Sequence, residues 1–111
     1  MKKVIIINKN SMGTGPEELG QVLIRAFLKK LWAKREKPDM IVLYNAGVQL
    51  LDRSSVHLDA LDGLEEAGVE IIACGTCLDH YEMKEELKIG RRSDMVEIVN
   101  IMMESEKVVT I

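Results

Sequence analysis

Apolar residues fall along this chain in two rhythms, short unbroken runs and longer stretches where they recur every three or four positions. The runs at 3–8, 40–44, 69–73 and 107–111 are rich in Ile and Val. Such β-branched runs suit strands buried on both faces, as in a parallel sheet. The stretches between them predict helices. Pro16 suits the first position of a helix, and Glu17 and Glu18 are favoured at its positive end. Leu19, Val22, Leu23, Ala26, Phe27 and Leu31 form its expected inward face, and Pro38 stops it. Residues 45–47 break the second strand, and 48–53 read as a loop. Ser54 or Ser55 is the expected cap of a second helix, with His57 exposed and Ala60, Leu61, Leu64 and Ala67 inward. Gly68 ends that helix in the left-handed conformation. A short helix is expected over 78–87 and a loop over 90–93. Asp94, with Glu97 three residues later, then caps a last helix whose inward face is Met95, Ile98, Val99 and Met102.

Strands alternating with helices through short links predict an α/β domain, a mainly parallel sheet covered on both faces. In such a sheet the site lies beyond the carboxyl ends of the strands, near the point where strand order reverses. Three loops share that edge: 8–15, 45–53 and 74–80. The pocket they are expected to form is lined by Asn10, Ser11, Gly13, Thr14, Asn45, Gly47, Thr76 and His80, with thiols at its floor or rim. The loop 11–15, with two glycines, is expected to be mobile beside those thiols.

Composition narrows the choice. A length of 111 residues, 47% of them apolar, is one folded domain, residues 1–111. Fifteen basic against 18 acidic residues give no support to nucleic-acid binding, and 4% aromatics give little to stack a base or a flavin on. The first apolar run is too short for a membrane span or a signal peptide. The expectation is therefore a cytoplasmic chain with reduced thiols and no membrane partner.

The chemistry concentrates in Cys74-Gly-Thr-Cys77, which holds both cysteines and directly follows the third strand. Two thiols two residues apart can exchange a disulfide, hold a persulfide or share a metal. A thiol where a strand turns into a helix faces the positive end of that helix, which favours the nucleophilic thiolate. Cys74 is the expected carrier and Cys77 its resolving partner, tucked toward the sheet. A thioredoxin is disfavoured, since both prolines precede the motif. His80 could extend the pair to three metal ligands, but ligands three residues apart drift around a helix, so no metal is expected.

The residues Asn10-Ser-Met-Gly-Thr-Gly-Pro-Glu-Glu-Leu-Gly20, Tyr44-Asn-Ala-Gly-Val48, Gly68-Val-Glu-Ile-Ile-Ala-Cys-Gly-Thr-Cys77 and Ser93-Asp-Met-Val-Glu-Ile98 together resemble the DsrE-like sulfur-relay family, most closely the carboxy-terminal domain of YedF-type selenium-metabolism proteins. The resemblance spans nearly the whole chain. It implies a flavodoxin-like three-layer domain, assembly as a homo-oligomer (trimer or hexamer), and a persulfide on the cysteine after the corresponding strand, here Cys74. Many members carry Arg-Gly a few residues beyond that cysteine, where this chain has Tyr81-Glu-Met83. The implied function is sulfur or selenium transfer between donor and acceptor proteins, with no cofactor. The alternative is a module that binds a small molecule, anion or nucleotide at the loop 11–15 without catalysis.

Overall fold

The computed structural model describes residues 2–83 and 85–111. Five strands, β1 (Lys3–Ile7), β2 (Met40–Leu43), β3 (Glu70–Cys74), β4 (Arg91–Ser93) and β5 (Lys107–Thr110), form one sheet in the order β4-β3-β2-β1-β5. Every pairing is parallel. Four helices connect them: α1 (Glu17–Ala33), α2 (Leu58–Glu66), α3 (Gly75–His80) and α4 (Met95–Glu104). The layers are those expected of an α/β sandwich. The strand order differs from the 2-1-3-4-5 of flavodoxins.

The order follows from the connections. From β1 to β4 the chain steps one way across the sheet, then α4 carries it back to the far side of β1. Right-handed crossovers therefore put α1 and α2 on one face and α4 on the other. The core divides accordingly. Ile7, Ile41, Leu43, Ile71 and Ala73 meet Ile24 and Leu28 of α1 and Leu61 and Leu64 of α2. On the opposite face Val4, Ile6, Met40, Val42, Ile72 and Cys74 meet Ile98 and Ile101 of α4. The direction of strand progression reverses between β1 and β5, so the thiols at the end of β3 lie away from the reversal, not beside it.

Several elements depart from the sequence reading. In α1 the buried stripe is Gly20, Ile24 and Leu28, while Leu19, Val22, Leu23 and Ala26 face solvent. In α4 it is Ile98 and Ile101, while Met95, Val99 and Met102 are exposed. Both helices carry more apolar residues than one stripe needs, and the sheet selects the stripe that its own side chains fit. Residues Asn45–Leu51 form a 3-10 helix rather than a loop. Neither Ser54 nor Ser55 caps α2, which starts at Leu58 after His57. His57 is buried, not exposed, and Ala67 is exposed, not buried. The helix expected over 78–87 runs instead from Gly75 to His80 and ends before Glu82, whose φ is +57°. Lys84, inside that expected helix, lies outside the described residues.

Residues 91–93 are an edge strand, and side chains hold it in place. Arg91 grips Glu97 of α4 through both terminal nitrogens (2.9 and 2.5 Å) and Glu70 of β3 through Nε at 2.9 Å. The Ser93 hydroxyl donates to Glu97 as well. The hydrogen bonds from Arg91 and then Ser93 pull the Glu97 carboxyl down from 4.5 to about 2. A carboxylate lowered in the fold stabilises it above the unfolded value and loses that contribution as pH falls through the folded value. Stability should therefore fall between about pH 4.5 and pH 2. Glu97→Gln should flatten this part of an acid-unfolding curve followed by circular dichroism.

Asp94 is the N-cap of α4, and its carboxylate accepts from the Glu97 backbone N–H at 2.9 Å. Asp94→Ala should cost about 1 kcal/mol, read as a lower urea midpoint at unchanged slope.

Candidate functional site

Cys74 ends β3 and occupies the N-cap position of α3. It is 3% exposed and packs in the core on the α4 side of the sheet. Cys77, one turn on, is half-buried and touches both core clusters. Both are free thiols. The sequence reading had Cys77 tucked toward the sheet. The structure makes Cys74 the deeper of the two, because it is still a strand residue with its side chain beneath α4. The Asn45 backbone N–H donates to the Cys77 sulfur at 3.1 Å. Asn45 reaches that position with φ of +52°, a left-handed conformation that Asn tolerates better than most residues. Burial pushes the Cys77 thiol up, and the Asn45 N–H offsets only part of that.

Gly75 serves this turn by its missing side chain. Its φ is not left-handed; instead a Cβ there would lie 2.8 Å from Nε of Arg92. Arg92 neighbours Ala73 across the β3–β4 pairing, and its Nη2 donates to Asp79 of α3 at 2.7 Å. Asp79 raises the Arg92 guanidinium above its usual range, and Cys74 adds to that field. A fixed positive charge thus stands over the turn that follows Cys74. The sequence reading assigned Arg92 no role, and no local pattern marks it: only the pairing of β4 with β3 brings it there.

The remaining predicted residues divide. Thr76 and His80 are exposed on α3, and His80 packs edge-on against Tyr81 with ring centroids 5.0 Å apart. Gly47 is buried under β1, where it serves packing. Ser11 lies against Gly20 of α1, while Gly13 and Thr14 are exposed. The loop 11–15 is tied to α1 by Met12 N–H to the Gly20 carbonyl at 3.0 Å, and Met12 packs on the core. Asn10 donates to Gln49 at 2.8 Å and accepts from Gln21 through its carbonyl.

Of the expected pocket residues only Asn10 lines a cleft of about 480 Å³ at the same sheet edge, bounded also by Gln49, Asp52, Ser55, His57 and Tyr81. Neither cysteine borders it. It lies on the α1–α2 side, while Cys74 faces α4. His57, missed in the sequence, is 7% exposed and lines this cleft. Burial, with Arg25 adding repulsion, lowers its imidazole below the ordinary value. Among the described residues no three His, Cys, Asp or Glu side chains converge as a metal site would.

Fold and turn together define a three-layer α/β protein presenting a cysteine pair at the carboxyl end of its third strand. The chain belongs to the DsrE/DsrF-like family, whose model matches residues 1–111. A search of curated proteins finds no match. Among solved structures it is similar to the ychN protein from E. coli, with TM-score 0.68 and 19% identity over 100% of both chains. It is similar also to MTH1491 from Methanobacterium thermoautotrophicum, described as of unknown function, with TM-score 0.71 and 22% identity over 97% of this chain and 96% of that one. A third is BT1422 from Bacteroides thetaiotaomicron, with TM-score 0.66 and 16% identity over 99% and 95%. At these identities the likeness concerns the fold. Among the described residues no helix is long and apolar enough to cross a membrane.

Proposed function

We propose that this protein is a cytoplasmic sulfur carrier that holds a persulfide on Cys74, with selenium as the alternative cargo. The observation that carries the reading is the thiol turn: two free thiols one turn apart, with Arg92 held over Gly75 within electrostatic reach of Cys74. A thiolate is the nucleophile in sulfur exchange, and a nearby guanidinium stabilises both it and the anionic terminal sulfur of a persulfide. The Cys74 thiolate attacks the outer sulfur of a donor persulfide. A new S–S bond forms, the old one breaks, and the donor departs as its thiolate. An acceptor thiolate then takes the outer sulfur and returns Cys74 to a thiolate. Should Cys77 attack the inner sulfur instead, hydrosulfide leaves and a Cys74–Cys77 disulfide forms. Intact-mass measurement after mixing with a cysteine desulfurase and cysteine tests the reading. One added sulfur, removed by a thiol reductant, is expected; an unchanged mass sinks it.

The same reading includes a homo-oligomer, a trimer or hexamer. Leu19, Val22 and Leu23 on α1 and Met95, Val96, Val99 and Met103 on α4 are exposed, with Met103 at 79%. Adaptable methionines in such stretches suit a contact between subunits. Light scattering at micromolar concentration should give a mass several times 12.5 kDa. A species of 12.5 kDa alone would rule the assembly out.

A further inference from the structure

The cleft beside His57 has a built polar wall that the thiol chemistry does not use. We infer that it is a binding site for a polyhydroxylated amine of up to amino-sugar size. Its volume, about 480 Å³, falls within the range of small-molecule pockets. His57 is 7% exposed as a residue; its ring makes no hydrogen bond among the described residues, and its nitrogens are not sealed off, so they open to the cleft. Its backbone N–H is satisfied by the Ser55 hydroxyl oxygen at 3.1 Å, so the ring itself is what remains to be met.

The other groups on the wall choose the ligand. Among the described residues Asp52 is the only formally charged one lining the cleft. Its Oδ1 accepts from both the N–H and the hydroxyl of Ser54, at 3.0 and 2.7 Å. Those bonds lower its carboxyl and keep it ionised, and they leave Oδ2 open to a donor. Gln49 accepts from Asn10 through Oε1, which leaves its amide nitrogen as a donor. The Ser55 hydroxyl can donate while it accepts from His57. Among the described residues no Lys or Arg lines the cleft; Arg25 acts on His57 from α1 but stands outside it. An anion would therefore meet Asp52 and find no countercharge, whereas an ammonium would meet Oδ2. Hydroxyls on the same molecule can accept from Gln49 and Ser55 and pair with His57. Leu50, Val56 and Met83 leave room for an apolar ring face. This site stands whether or not Cys74 carries sulfur.

The test uses glucosamine as the probe, glucose as its uncharged match and inorganic phosphate as the anion. The readout is the imidazole carbon–proton signal of His57. The chain has two histidines, so His80→Gln leaves that signal alone in the spectrum. Glucosamine should move it saturably at about millimolar concentration, as expected for so small a ligand. Glucose should bind about tenfold more weakly, the loss that follows removal of one charge-assisted hydrogen bond. Asp52→Asn should erase the difference between the two sugars, while Asp59→Asn, on the exposed surface of α2, should preserve it. Equal response to both sugars, saturation by phosphate, or a His57 signal indifferent to glucosamine would each overturn the assignment. If Asp52→Asn does not fold, the ratio of the two sugars on the unmodified site decides.

Discussion

A Cys74→Ser variant mixed with a cysteine desulfurase and cysteine should gain no sulfur, a loss of at least about a hundredfold in loading rate, while Cys77→Ser loads. The argument compares the two thiols. Cys77 is pushed up by burial and by its interaction with Cys74, and the Asn45 N–H offsets only part of that. A thiol held protonated is a poor nucleophile. Cys74 stands where β3 becomes α3, and Arg92 is locked over the next residue by Asp79. Serine keeps nearly the same volume but places a hydroxyl in the apolar core at position 74, so circular dichroism must show both variants folded before loading is compared. The readout is intact mass followed by peptide mapping of the added sulfur. If Cys74→Ser loads and Cys77→Ser does not, the two roles exchange.

The largest expected loss of stability comes from Gly47→Ala. A Cβ at Gly47 would sit 2.1 Å from the carbonyl oxygen of Ile7 and 2.9 Å from its carbon. Both are backbone atoms of β1, pinned between β2 and β5, so they cannot turn aside as a side chain would. The 3-10 helix must lift away instead, and with it Asn45, whose N–H holds Cys77. Overpacking of this kind costs about 3 kcal/mol, which lowers Tm by about 10 °C in a domain of this size. Gly13→Ala is the informative contrast. Gly13 has φ of +83° and nothing within 4 Å of the added carbon. Its cost is backbone strain alone, about 1 kcal/mol. Calorimetry on the two variants separates crowding from conformation.

What the sequence revealed depended on how unambiguous each local signal was. The apolar runs of β1, β2 and β3 became strands because burial on both faces leaves little choice, and 107–110 became β5 as an edge strand whose residues are exposed rather than buried. Asp94 and Gly68 act where expected, since capping and left-handed turns depend on neighbours in sequence. The inward faces of α1 and α4 were read only in part, Phe27, Leu31 and Ile98 packing inward while the others do not, for the opposite reason. Leu19, Val22 and Leu23 fall at helical three- and four-residue separations just as Gly20, Ile24 and Leu28 do, and only the sheet decides which set it meets. β4 escaped notice because Arg91-Arg92-Ser93 has no strand composition; ion pairs to Glu70 and Glu97 hold it. The cysteine turn was legible as a motif. Arg92 was not, since it reaches Gly75 only through the β3–β4 register. His57 was read as an exposed helix residue because nothing in 54–58 signals that the chain folds it under the cleft.

The parallel pairing of Lys3 with Lys107 ties β1 to β5, about a hundred residues further along the chain. During synthesis β1 can pair with β2 as soon as α1 is complete, yet its other edge stays open until residues 107–110 have cleared the ribosome. Contacts this distant in sequence form late and slowly. For that interval the nascent chain presents the Ile-rich strand β1 with unpaired backbone groups along one side, the kind of edge that recruits strands from other chains. β5 itself, with all four residues exposed, contributes little burial to speed the closing of that edge.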